Sequence, residues 1–275
     1  MALTIHSTLT LHNSVPIPVL GLGVWQIRNG GPTLNACRHA IQCGYRHIDT
    51  ARFYNNEEDV GRAVRQCGWP REALFVTTKL WNDDHGYDKA IRAFHESLKR
   101  LNLPYVDLYL IHWPETHARK ESWKALETLY EEGLCKAIGV SNYTLRHLEE
   151  VFSYCRIKPM VNQVEFHPFL YQKSLLDFCR RHDVILEAYS PLTKGMRLKE
   201  PRLKNIAEKY RRSAAQILIR WALQQGVVVL PKSADPKRIE ENAAVFDFEI
   251  SNDDMEKLNH LNENWHCTWD PTDVP

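Results

Sequence analysis

The chain has 275 residues, 44% of them hydrophobic, and its 35 Lys and Arg nearly balance 34 Asp and Glu. That length fits one large α/β unit spanning residues 1–275, and a charge spread without a basic arm or an acidic tail excludes partners such as nucleic acid or a membrane surface. Met1-Ala2-Leu3-Thr4-Ile5-His6 lacks the charged region and long apolar core of a leader, and no stretch approaches the roughly 18 apolar residues of a span, so a cytoplasmic location is expected. Seven cysteines without any Cys-x-x-Cys predict free thiols rather than a disulfide framework or a zinc knot.

In chain order, Leu9-Thr10-Leu11, His12-Asn13-Ser14 and Val15-Pro16-Ile17-Pro18 predict a hairpin whose proline-bearing arm lies at an edge. It is expected to plug a barrel's bottom. The first barrel strand is Val19–Gly23, and a helix from about Pro32 carries Leu34, Cys37, Ala40 and Ile41 at helical spacing. Strand two ends at Asp49. Apolar strands are then expected at 74–79, 106–112, 136–141, 160–165, 184–189 and 227–230, alternating with helices at 57–67, 86–101, 121–132, 144–155, 172–182 and 202–224. Eight apolar strands, several ending in an ionisable side chain, predict a (β/α)₈ TIM barrel with an N-terminal hairpin, and an enzyme.

Several chemistries are absent from the motifs. Gly21-Leu22-Gly23-Val24-Trp25-Gln26 lacks the third glycine of a dinucleotide fingerprint, and there is no phosphate loop, no His-Glu-x-x-His for zinc and no Gly-x-Ser-x-Gly elbow. No metal is called for. Asn142-Tyr143-Thr144 matches a glycosylation acceptor but is read as chance, since no secretory signal accompanies it.

Gly44-Tyr45-Arg46-His47-Ile48-Asp49-Thr50-Ala51, Tyr54-x-Asn56-Glu57-x-x-Val60-Gly61, Thr78-Lys79-Leu80-Trp81 and Asp107-Leu108-Tyr109-Leu110-Ile111-His112-Trp113-Pro114 resemble the signature blocks of the aldo-keto reductases. Gly139-Val140-Ser141-Asn142, Asn162-Gln163-Val164-Glu165-x-His167-Pro168, Ala188-Tyr189-Ser190-Pro191-Leu192 and Pro231-Lys232-Ser233 with Arg238-Ile239-x-Glu241-Asn242 extend the resemblance along nearly the whole chain.

Reducing an aldehyde or ketone puts negative charge on the carbonyl oxygen, so the site needs a donor that can surrender a proton. A tyrosine beside an ammonium suits this, because the cation stabilises the phenolate and is expected to lower the phenol's pKa. The resemblance implies Tyr54 as general acid, Lys79 and Asp49 as its tuning pair and His112 as a polar guide for substrate.

These side chains move protons but cannot deliver two electrons, so a hydride carrier is required. The resemblance implies a nicotinamide stacked on Tyr189 and hydrogen-bonded by Ser141, Asn142 and Gln163, with Ser190 and Leu192 at the pyrophosphate and Glu241 and Asn242 at the adenine. Lys232, Ser233 and Arg238 follow the last strand, a habitual phosphate position in barrels, and two cations with a hydroxyl suit the 2′-phosphate of NADP. NADPH is therefore expected in preference to NADH.

Trp25, Trp81 and Trp113 follow barrel strands and are expected to wall the substrate pocket beside His112. The tail Trp265–Pro271 is placed to close over it, without the Arg and Gly that related bacterial chains commonly carry there. A short segment after strand four suggests an open site similar to that of bacterial 2,5-diketo-gluconate or methylglyoxal reductases, acting as a monomer on small carbonyl compounds, α-dicarbonyls or keto sugars. Two other readings remain open at this point: a Schiff-base aldolase using Lys79, and a non-catalytic nucleotide-binding barrel.

Overall fold

Two short antiparallel strands open the computed structural model, which describes residues 3–275: β1 (Thr8–Thr10) and β2 (Pro16–Pro18), with Leu9 opposite Ile17. Their turn reaches the start of two barrel strands, since Asn13 Nδ2 donates to Lys136 O at 2.9 Å and the His12 ring lies 3.3 Å from Lys158 O. The hairpin therefore covers the N-terminal end of the barrel.

From there strands and helices alternate: β3 (Gly21–Gly23), α1 (Pro32–Gln42), β4 (His47–Asp49), α2 (Glu57–Gln66), β5 (Phe75–Leu80), α3 (Tyr87–Leu101), β6 (Val106–Ile111), α4 (Arg119–Glu131), β7 (Cys135–Ser141), α5 (Leu145–Tyr154), β8 (Val161–Glu165), α6 (Lys173–Arg181) and β9 (Ile185–Tyr189). Then come α7 (Pro201–Tyr210), α8 (Ala214–Gln224), β10 (Val228–Leu230), α9 (Pro236–Ala243) and α10 (Asn252–Asn259). The eight strands β3 to β10 are parallel and in sequence order. Bridges Leu20 to Val229 and Gly23 to Lys232 close the cylinder, with Val229 N donating to Val19 O at 2.9 Å.

The strands are buried on both faces, so β6, β7, β9 and β10 read as largely apolar runs, while the buried polar residues of β4, β5 and β8 pair with one another inside the barrel. Helix packing is close: a Cβ on Gly61 of α2 would stand 1.8 Å from the Leu101 carbonyl oxygen of α3, so only glycine fits there.

The expected helix over 202–224 is two helices. Arg211 turns left-handed at φ 54°, ending α7, and Ser213 caps α8 in a capping box with Gln216. Helices α9 and α10, absent from the periodicity reading, start at Asp235 and Ser251, whose side chains accept the N–H of Arg238 and Asp254. Arg238 accordingly sits in the first turn of a helix rather than in a loop.

Candidate active site

The C-terminal ends of the strands converge on one cavity of about 1180 Å³. Asp49 ends β4, Lys79 is the penultimate residue of β5, His112 follows β6, Ser141 ends β7 and Tyr189 ends β9.

Tyr54 comes from a 3₁₀ turn, Arg52–Tyr54, between β4 and α2. The buried Asn56 fixes this loop: its Nδ2 donates to Val24 O at 2.9 Å and Ile27 O at 3.0 Å, and its Oδ1 accepts from Thr50 Oγ1 at 2.7 Å. One side chain thus ties the β4–α2 loop to the β3–α1 loop.

Lys79 is fully buried, and its ammonium donates to Asp49 Oδ1 at 2.7 Å, Asp49 Oδ2 at 2.8 Å and Thr50 O at 2.9 Å, with the Tyr54 hydroxyl at 3.3 Å. The His112 ring stands edge-on to Tyr54 with centroids 5.6 Å apart. Burial, then the Lys79 charge, holds the His112 pKa well below the ordinary imidazole value, so the ring is neutral near pH 7.

The expectation that Lys79 lowers the Tyr54 pKa is not met in this state. Burial, then the Asp49 charge, holds the phenol well above its ordinary value. The reason is that Asp49 already takes the lysine's charge at both oxygens, so little net positive field reaches the phenol and desolvation dominates. The phenol is a loaded proton store.

Ser141, Asn142, Gln163 and Tyr189 form one hydrogen-bonded chain across β7, β8 and β9. Ser141 Oγ donates to Gln163 O at 2.9 Å; Asn142 Nδ2 donates to His112 O at 2.9 Å and Ser141 Oγ at 3.1 Å; the Tyr189 hydroxyl donates to Asn142 Oδ1 at 2.7 Å. Ser141 and Asn142 are not the helix cap: Thr144 caps α5, boxed with His147. Gln163 Nε2 donates to Asp49 Oδ2 and Glu187 Oε2, each at 2.9 Å.

Every residue singled out from the sequence lines the cavity except Lys79, which lies beneath it. Ser190, Leu192, Lys232, Ser233, Arg238, Glu241 and Asn242 are among the lining residues, with Ser213 and Ala214 at the start of α8. Arg238 and Lys232 have no carboxylate partner within ion-pair distance among the described residues.

The substrate side is more aromatic than expected. Trp25, Trp81 and Trp113 are joined by Phe53, stacked on Trp81 at 3.9 Å, and by Trp269, whose ring lies 6.1 to 6.5 Å from those of all four. Phe53 directly precedes Tyr54, just outside the recognised blocks, and that adjacency is the signal that could have found it. Trp269 is brought there by a tail that Glu165 anchors, accepting from Cys267 N at 2.7 Å, Thr268 N at 3.0 Å and the Thr268 hydroxyl. Burial pushes the Glu165 carboxyl up, but hydrogen bonds from His167, Cys267 and Thr268 outweigh it and hold the group at about 2.

The model of the Aldo/keto reductase family matches residues 19–263, from the first barrel strand past α10. The chain belongs to that family. It is 49% identical to the 9,11-endoperoxide prostaglandin H2 reductase of Trypanosoma cruzi, over 97% of this chain and 95% of that protein. To the glyoxal reductase of Bacillus subtilis it is 50% identical, over 96% of each. A crystal structure of MGS-M4, an aldo-keto reductase from a Medee basin deep-sea metagenome library, superposes with a TM-score of 0.94 at 43% identity, covering 98% of this chain and 100% of that one. As an aldo-keto reductase the protein is an oxidoreductase that reduces carbonyl groups to alcohols.

Proposed function

We propose that this aldo-keto reductase reduces small aldehydes, α-dicarbonyls or keto sugars with NADPH, using Tyr54 as general acid. The observation that carries the proposal is the Tyr54 hydroxyl 3.3 Å from an ammonium that Asp49 neutralises, at the floor of a cavity walled by aromatic rings.

The cavity suits a nicotinamide dinucleotide by its chemistry. Tyr189 offers a flat face, and the polar chain from Ser141 to Gln163 lies beside it. The unpaired cations Lys232 and Arg238, the Ser233 hydroxyl and the start of α8 favour an anion such as a 2′-phosphate. Ser190 and Leu192 are assigned to the pyrophosphate, and Glu241 and Asn242 to the adenine. When bound, the reduced nicotinamide supplies hydride to the carbonyl carbon.

The protein supplies the rest. Tyr54 donates its hydrogen bond to the carbonyl oxygen and passes the proton as charge develops there. The phenolate left behind faces Lys79 Nζ, which Asp49 holds in place through both its oxygens. Neutral His112 orients the carbonyl from the other side with a ring N–H. The walls of Trp25, Trp81 and Trp113 hold the substrate's body by apolar contact. The similarity to a glyoxal reductase supports a small dicarbonyl among the substrates.

Lys79 does not suit a Schiff-base nucleophile, because its protons are committed to Asp49, Thr50 O and the Tyr54 hydroxyl. We further assign the enzyme to the cytoplasm as a single-domain monomer. All seven cysteines are free and no described helix is long and apolar enough to cross a membrane.

The test follows NADPH absorbance against a panel of aldehydes, α-dicarbonyls and keto sugars. Tyr54→Phe should lose about a hundredfold or more in kcat/KM, the usual cost of a missing proton donor. A fully active phenylalanine variant would place the acid elsewhere, and a protein that binds NADPH without oxidising it would favour the non-catalytic barrel.

A further inference from the structure

Beneath the cavity floor lies a second carboxyl that the chemistry above does not use. Glu187 of β9 is fully buried, with Oε2 2.9 Å from Gln163 Nε2 and Oε1 3.8 Å from His47 Nε2. Its neighbours are Asp49 and His47 from β4, Lys79 from β5 and Gln163 from β8. Gln163 Nε2 has two protons, and both are spent on carboxyl oxygens, one of Asp49 and one of Glu187.

That pairing sets the rotation of the amide. Turning the Gln163 amide over would place its oxygen against the charged Asp49 oxygen, acceptor facing acceptor, so chemistry requires the nitrogen at this end. The oxygen is then the end left for the cavity, which Gln163 lines.

We propose that Glu187 is a positioning residue for the nicotinamide end of the cavity, holding Gln163 from below so that its amide oxygen is presented to a carboxamide N–H. The inference rests on the nicotinamide reading and adds to it a residue that touches neither cofactor nor substrate. Burial, then the Asp49 charge, raises the Glu187 carboxyl well above the ordinary carboxylate value, which favours its neutral form beside the Asp49–Lys79 pair. The proton belongs on Oε1, which has no other partner among the described residues, leaving Oε2 to accept from Gln163.

A neutral acceptor is what glutamine also provides, and this makes the inference testable. Dissociation constants for NADPH and for 2′,5′-ADP, which lacks the nicotinamide, are measured by tryptophan quenching on the wild type, Glu187→Met and Glu187→Gln. Glu187→Met should bind NADPH roughly tenfold more weakly, the scale of one hydrogen bond, with 2′,5′-ADP unchanged. Glu187→Gln should restore NADPH binding. A methionine variant that binds NADPH like the wild type, or loses both ligands equally, overturns the inference; so does a glutamine variant as weak as the methionine one. A wild type that takes up neither ligand would remove the cofactor reading and this inference together.

Discussion

Lys79 Nζ contacts both Asp49 oxygens, at 2.7 and 2.8 Å, while the Tyr54 hydroxyl stands off at 3.3 Å. The ion pair is the tighter unit, and the phenol is attached to its edge. This ordering accounts for a phenol that stays protonated at rest yet has a cation in reach once it gives up its proton.

Asp49→Asn would leave Lys79 buried with its charge uncompensated. Removing one partner of a buried pair typically costs about 3–5 kcal/mol, so the urea midpoint should fall sharply, and kcat/KM should drop by about a hundredfold or more as Lys79 loses its fixed position. Wild-type stability in the asparagine variant would mean that the pair is far better solvated than its burial indicates.

His47 shapes the acid side of the stability curve. Burial, then the Lys79 charge, lowers its pKa from 6.5 to about 3. Between those values the unfolded chain binds a proton that the folded chain refuses, so stability is fully present above 6.5 and is lost as pH falls toward 3. One such histidine contributes a slope of about 1.4 kcal/mol per pH unit. Glu187, raised, opposes this slope and His112, lowered, adds to it, so the difference is the test: urea midpoints of His47→Gln should fall less between pH 7 and pH 4 than those of the wild type, and an equal fall would assign the loss to other groups.

Asn56→Ala should leave the Thr50 hydroxyl without its acceptor and take one of two donors from the carbonyls of Val24 and Ile27, which keep the Ile27 N–H and the Thr33 hydroxyl. Each unpaired buried group costs about 1–3 kcal/mol. Thermal denaturation should show the loss, and kcat should fall even though Asn56 does not line the cavity, because Tyr54 rides on the loop that it ties. A destabilised variant with unchanged kcat would mean that Tyr54 is positioned by its own contacts alone.

Arg238→Ala should raise the KM for NADPH by about tenfold or more and leave that for NADH little changed, since a charge-assisted contact to a 2′-phosphate exists for only one of them. Equal effects on both cofactors would remove the argument for NADP.

Trp269→Ala opens the aromatic wall at its most exposed member. The KM for a bulky aromatic aldehyde should rise roughly threefold to tenfold, with little change for glyoxal, which is too small to reach several rings at once. Identical shifts for both substrates would show that the tail acts on the site as a whole.

Most strand positions were readable because a parallel strand buried on both faces is a largely apolar run, as in Val106–Ile111, where Asp107 is the one interruption. The break inside 202–224 was written in Ser213-Ala214-Ala215-Gln216, yet apolar spacing across it masked the cap. The starts of α9 and α10 were likewise signalled by Asp235-Pro236 and by Ser251 with two acids in the following turn. Trp269 and Glu187 were of another kind. Nothing local to Trp269 specifies that Glu165, about a hundred positions earlier, will hold its neighbours, and Glu187 within Ile185-Leu186-Glu187-Ala188 carries no mark of facing Asp49.

Residue types and their periods therefore determined the barrel, and matched sequence blocks its family with the supply of an acid, a cation, a carboxylate and an imidazole, because each of these is written within short segments of chain. Only the closed barrel decided that Asp49 takes the lysine's charge, that the phenol rests protonated, that the tail completes the aromatic wall and that Gln163 is held between two carboxyls. Those outcomes depend on burial and on distances between strands remote in the chain, and electrostatic energy inside a protein changes more with ångströms and lost water than with the identity of any single residue.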